Sequence, residues 1–169
     1  MAETWFISDT HFGHENILKF EPEARPFKNL VEMHEALINR WNSVVGHDDT
    51  VYHLGDVAFG LINLELVKFL KGNKRLVLGN HDKYPLHNYS RHFCNIYGIK
   101  FWNGCLLSHA PCHTNQLEYR AVANIHGHMH SKKLDDVRYI NVSVEQNNLT
   151  PINADIILQR VKDNERCKI

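Results

Sequence analysis

The 169-residue sequence predicts an α/β fold in which two β-sheets pack together with helices outside. Three observations point there. In the first half, short apolar runs alternate with stretches of helical period. In the second half, apolar runs follow one another directly. Most of these runs end in Asp, Asn or His. The length suits one domain, residues 1–169, with a single substantial core.

Thr4 to Ser8 reads as a short buried strand that ends at Asp9, and Asp9-Thr10-His11-Phe12-Gly13-His14 follows as a loop. Pro22 and Pro26 make Glu21 to Phe27 irregular. From Leu30 to Val44, Leu30, Met33, Leu37, Ile38, Trp41 and Val44 keep a helical period. Gly46-His47-Asp48-Asp49 breaks it, and Thr50 to Leu54 is a second buried strand running into Gly55-Asp56. Leu61 to Leu70 reads as a helix with Ile62, Leu66, Phe69 and Leu70 inward, closed by Lys71-Gly72-Asn73. Arg75 to Leu78 is a third strand, ending at Gly79-Asn80-His81-Asp82, and Tyr84 to Arg91 is a loop with a short helix. Beyond Phe93 the expected strands are Asn95–Phe101, Cys105–Ser108, Ala121–His126 and Val137–Val144. A last helix spans Ala154 to Val161, with Ile157, Leu158 and Val161 inward.

Composition is that of a globular protein, 43% hydrophobic and 22% charged. Lys+Arg and Asp+Glu balance at 19 each, so no global charge favours nucleic acid or an anionic membrane. Cys94, Cys105, Cys112 and Cys167 form no C-x-x-C pair, which excludes a zinc ribbon or thioredoxin-type motif. No basic n-region precedes an apolar stretch at the start, and no apolar run approaches the ~20 residues of a membrane span. The expected setting is a reducing cytoplasm.

Histidine is the unusual count, at 13, and three alternate in Asn124-Ile125-His126-Gly127-His128-Met129-His130. Residues i and i+2 of an extended chain share a face, although Gly127 can bend it. An Asp after a strand is often a helix cap, and a lone His is often a core residue. Five such strand ends in one small chain point instead to a metal site, since ligands collect outside the carboxyl ends of strands.

The blocks Asp9-x-His11, Gly55-Asp56, Gly79-Asn80-His81-Asp82, His109 and Gly127-His128-Met129-His130, in that order, resemble the calcineurin-like metallophosphoesterase superfamily. The short chain resembles its small, single-domain bacterial or phage type. All five motifs are present, and the resemblance covers nearly the whole chain. The resemblance implies a four-layer αββα sandwich of two mixed sheets and a dinuclear metal centre. Asp9, His11 and His130 would bind one ion; Asn80, His109 and His128 would bind the other; Asp56 would bridge them. His81 would stand unligated beside the substrate phosphate with Asp82 behind it, and Asp82 could fix the tautomer of His81. Nitrogen and oxygen ligands without thiolate suit manganese first, with iron, nickel, zinc or magnesium as alternatives. Two ions ~3.5–4 Å apart clamp the attacking and leaving oxygens and activate water.

His14 and Asn16 are candidate substrate contacts, while Asn16 could equally cap a helix starting at Ile17. His126 reads as the last buried residue of its strand. Cys112 and His113 are candidate pocket walls. Lys83, Arg25 and Arg120 are candidate phosphate contacts by charge alone and ordinary surface cations by base rate. The expected activity is hydrolysis of small phosphomonoesters or phosphodiesters, nucleotides included, by a metal-activated water. A nuclease, a phosphoprotein phosphatase and a non-enzymatic scaffold of the same fold are the alternatives. The expected partner is a small phosphoester or nucleotide substrate, with no strong sign of nucleic-acid binding and no membrane partner.

Overall fold

A computed structural model describes residues 1–166, so Cys167 lies outside the described residues. Strand β1 (Thr4–Ile7) leads through a one-turn helix α1 (Ile17–Phe20) to the long helix α2 (Leu30–Val44). Then come β2 (Thr50–His53), α3 (Leu61–Leu64), β3 (Asn73–Val77), α4 (Leu86–Tyr89) and β4 (Asn95–Tyr97). The second half holds β5 (Lys100–Trp102), β6 (Cys105–Leu107), α5 (Asn115–Tyr119), β7 (Ala123–His126), β8 (Tyr139–Asn141), β9 (Ile152–Asn153) and α6 (Ala154–Arg166). One sheet has the order β4-β3-β2-β1-β9, parallel except for β9. The other has the order β5-β6-β7-β8, parallel except for β5. Both are mixed sheets flanked by helices, as the sequence predicts.

Alternation along the strands builds two cores. Phe6, Tyr52 and Val77 point from the first sheet toward Leu107, Ala123, Ile125 and Ile140 of the second, joined by Ile157 and Val161 of α6. The intervening residues Ile7, Val51 and Leu76 point the other way, onto Met33, Leu37 and Trp41 of α2. Spacing of four residues puts those three on one face of α2. Burying Met33 and Leu37 contributes about 1.5–3 kcal/mol each. The start of α2 is fixed by Asn29, whose side chain accepts the Glu32 N–H at 3.0 Å, while the Glu32 carboxylate accepts the Lys28 N–H at 3.1 Å. On the outer face of the second sheet, Leu117 of α5 and the following Ala121 pack on Leu106, with Cys112 and Tyr139 beside them.

Several boundaries differ from the sequence reading. The single strand expected over Asn95–Phe101 is two strands in different sheets: β4 pairs with β3, and β5 pairs with β6. The chain changes sheet at Gly98-Ile99, which no break in apolar pattern announces. The helix expected over Leu61–Leu70 makes one α-turn and then winds as a 3-10 helix from Glu65 to Phe69. Its buried residues are Leu64, Val67 and Leu70, spaced by three, while Ile62 and Phe69 are exposed. A period of 3.0 instead of 3.6 moves the inward face, which explains the misassigned residues. The strand expected over Val137–Val144 is reduced to β8, followed by a 3-10 turn over Val144–Asn147. Helix α5 and strand β9 have no counterpart in the sequence reading.

Candidate metal centre

Every carboxyl end of β1, β2, β3, β6 and β7 carries residues of the site. Asp9 and His11 follow β1, Asp56 follows β2, Asn80 to Asp82 follow β3, His109 follows β6, and His128 and His130 follow β7. Eight non-glycine residues have positive φ among the described residues, and five of them are Asp9, His11, Asp56, His128 and His130. Each left-handed L-residue costs about 1–2 kcal/mol. Such strain persists where the surroundings over-determine it, and it clusters at functional sites.

The ligand atoms form two clusters, Asp9/His11/His130 and Asp56/His109/His128, with atoms in each within 4.8 Å of one another. Asn80 joins the second, its Oδ1 lying 2.9 Å from His109 Nε2. Asp56 Oδ2 lies 3.7 Å from His11 Nε2 and 3.4 Å from His109 Nε2, so one carboxylate oxygen faces both clusters. Asp9 Oδ1 stands 3.6 Å from His11 Nε2 and 3.9 Å from His130 Nε2, too far for hydrogen bonds. Asp9 Oδ1 and both His11 nitrogens are buried with no hydrogen-bond partner. Buried polar atoms without partners are rare and costly. A divalent ion would satisfy Asp9 Oδ1 and the lone pair of His11 Nε2, so the residues present fit a dinuclear centre.

The free faces of the ligands are prepared by what holds their other faces. Asp9 Oδ2 accepts the Ser143 hydroxyl and the His128 N–H, both at 2.9 Å, leaving Oδ1 open. His109 Nδ1 lies 2.7 Å from the Leu54 carbonyl, which can only accept, so Nδ1 carries a proton and Nε2 faces the site. His130 Nδ1 lies 3.0 Å from Glu145 Oε1 and is oriented in the same way. Gly127 has no room for a side chain: a Cβ there would stand 2.0 Å from Ser8 Oγ and 2.4 Å from Asp9 Oδ2.

Electrostatics follow the crowding of charge. Burial raises the pKa of Asp9, but the adjacent imidazoles of His11, His109 and His130 outweigh it, and the carboxyl sits far below its ordinary value. Burial lowers His109, but the Asp56 carboxylate 3.4 Å away and the charge of Asp9 lift it to about 8. Without metal, the His109 ring is therefore mostly protonated at pH 7. A cation at Nε2 must displace that proton. Metal titrations near pH 7 in buffers of different ionisation enthalpy should accordingly show proton release, fading as pH rises past about 8. Buffer-independent heats at pH 7 would contradict this.

Two residues stand apart from their sequence assignments. Asp82 does not back the His81 ring. Its carboxylate accepts the N–H groups of Asp56, Val57 and Gly79 at 2.8, 3.0 and 2.8 Å, tying the β2 and β3 loops together. Arg25 is neither a surface cation nor a phosphate contact. It is 1% exposed, donates to the Asp9 and Thr10 carbonyls at 2.5 and 3.1 Å, and grips Glu145 Oε1 at 2.6 and 2.8 Å. A pair 120 residues apart in sequence orients both a ligand carboxylate's backbone and a ligand imidazole. Glu145 was not a sequence candidate, because it lies in a 3-10 turn outside every motif. Glu145→Gln should weaken metal binding about 10–100-fold with the fold retained, read by chelator competition and far-UV circular dichroism. Unchanged affinity would make Glu145 a purely structural partner of Arg25.

His81 is 39% exposed, with Nε2 4.0 Å from Asp56 Oδ2 and its N–H donating to Asp56 Oδ1 at 2.8 Å. His14 stacks on Phe59, and its pKa falls to about 4 through burial and the nearby His11 and His81. Asn16 is exposed and makes no side-chain cap, although α1 does begin at Ile17. His126 ends β7, buried, with Nδ1 2.8 Å from the Gly127 carbonyl. Cys112 packs against the outer cluster of the second sheet, away from the ligand set. His113, Lys83 and Arg120 are exposed. Beneath the site, the Gly55 N–H donates to His53 Nδ1, so Nε2–H donates to Thr10 Oγ1, which donates to the Val57 carbonyl. That buried chain joins the β1 and β2 loops.

Two mixed sheets between helices, with paired metal-ligand clusters at the strand ends, define the metallophosphoesterase class. The chain belongs to the calcineurin-like phosphoesterase family, whose model matches residues 3–167. An uncharacterised protein of Methanocaldococcus jannaschii is 36% identical over 173 residues, 96% of this chain and 93% of the relative. The gene 66 protein of Mycobacterium phage D29 is 28% identical over 207 residues, 98% of both chains. A solved structure of a protein of unknown function from Aquifex aeolicus superposes with a TM-score of 0.78 at 32% identity, covering 94% of this chain and 99% of that one. No helix among the described residues is long and apolar enough to cross a membrane.

Proposed function

We infer that the protein hydrolyses small phosphomonoesters or phosphodiesters, nucleotides among them, with two divalent ions, manganese first. The observation that carries this reading is Asp56 Oδ2, 3.7 Å from a nitrogen of one cluster and 3.4 Å from a nitrogen of the other. Asp9, His11, His130 and Asp56 would hold one ion; Asp56, Asn80, His109 and His128 would hold the second. When bound, such a pair supplies positive charge to the phosphoryl oxygens and lowers the pKa of the attacking water. The chain's own groups do the rest. His81, outside both clusters and partly exposed, donates a proton to the leaving oxygen. Asp82 keeps the His81 loop in register with Asp56 through its three backbone amides. Glu145 holds the His130 ring with Nε2 toward Asp9. A cytoplasmic setting belongs to the same reading, supported by the exposed thiol of Cys94, which a reducing compartment keeps reduced.

Hydrolysis of bis-p-nitrophenyl phosphate with added manganese, against a chelated control, tests the proposal. Turnover should require metal; none with metal, or equal turnover without it, would remove the hydrolase reading. Balanced charge also predicts that long DNA or RNA binds weakly and that binding falls steeply with salt. Tight RNA binding that survives moderate salt in a filter assay would favour a nuclease instead.

A further inference from the structure

Beside the metal clusters lies a set of aromatic rings that the hydrolytic chemistry does not use. Phe59 stacks on His14, with centroids 4.1 Å apart and planes at 14°. Its ring also lies 5.0 Å from that of His81 and 5.5 Å from that of His11. Phe20 meets His14 edge-on, at 6.1 Å and 67°. Phe20 is 67% exposed. A lone exposed Phe needs no explanation; one that squares a corner with a stacked imidazole beside a metal site does. His14 Nδ1 is buried with no hydrogen-bond partner, so stacking on Phe59, and not a bond at Nδ1, holds the ring there.

Building on the phosphoesterase reading, we propose that the Phe20–His14 corner, backed by Phe59, receives a planar ring carried by the substrate's alcohol group, so that the preferred substrates are nucleotides. Two rings near a right angle let a flat group stack on one and meet the other edge-on. An alkyl group gains only buried area there. Base–aromatic stacking tolerates any base, since every base has a π-face. The His14 ring lies 5.3 Å from that of His11, so a group in the corner is close to the phosphate-binding clusters.

Matched esters that differ only in the base test the idea. They are adenosine 5′-monophosphate against ribose 5-phosphate, and the methyl phosphodiester of each, on manganese-loaded protein. Kinetics give KM, and calorimetric titration gives Kd without requiring turnover. The base should lower KM and Kd about ten-fold. Phe20→Ala, at an exposed position outside the buried cores and with folding checked by far-UV circular dichroism, should close most of that gap, and Phe20→Trp should keep it. Equal KM and Kd with and without the base, or a gap that survives Phe20→Ala, would overturn the proposal. Base-dependent binding without hydrolysis of any ester would support the corner and remove the phosphoesterase reading.

Discussion

Asp56→Asn should give a folded protein that holds neither ion at wild-type strength. Asparagine keeps an oxygen to accept the His81 N–H, a bond of 2.8 Å in the wild type. The other oxygen, facing His11, His109 and His81 at 3.7, 3.4 and 4.0 Å, becomes an amide NH2 that cannot ligate. The loss falls on both sites together. Affinity at each should drop by more than the roughly 10–100-fold that follows loss of an outer partner, and hydrolysis should fall with it. Elemental analysis of protein loaded with manganese should approach two ions per wild-type chain and well under one per variant chain. Loss of a single equivalent would show that Asp56 is not shared.

The candidate ligands, Asp56 among them, were legible because each is written locally: an apolar run, then Asp, Asn or His. The parallel pairing of β1, β2 and β3, and of β6 and β7, brings those ends together as expected. Arg25 and Glu145 were not legible, because their meeting spans 120 residues and neither has a motif. Asp82 was misassigned for a related reason. Adjacency to His81 suggests a ring partner, whereas the turn aims its carboxylate back at three amides. The αβ order was readable from period alone, but the 3-10 winding after Leu64 and the change of sheet at Gly98-Ile99 depend on tertiary packing.

His81→Gln should separate substrates by their leaving groups. Both clusters keep their ligands, so metal content should stay at the wild-type level. Alkyl phosphoesters need a proton on the departing oxygen and should slow by roughly 10²–10⁴, the usual range for general acid–base help. p-Nitrophenyl esters, whose leaving group is already a stable anion, should suffer much less. The comparison uses both ester types in wild-type and variant protein with metal measured in each. Equal slowing at full metal content would make His81 an electrostatic stabiliser of the transition state. Metal loss would make it a ligand.

The ligand atoms come from both sheets in each cluster. Asp9 and His11 leave the first sheet and His130 the second; Asp56 and Asn80 leave the first, His109 and His128 the second. Each ion would thus act as a rivet at the edge of two layers that meet face to face through apolar packing and are already tied there by hydrogen bonds such as Ser143 to Asp9 and His109 to the Leu54 carbonyl. Free energy of binding then becomes resistance to parting, growing as RT ln(1 + [metal]/Kd), about 2.7 kcal/mol at a hundred-fold excess over Kd. Chelation should accordingly speed amide hydrogen exchange most at the facing residues Phe6, Tyr52 and Ile125, and least in the α2 interface, where no ligand bridges.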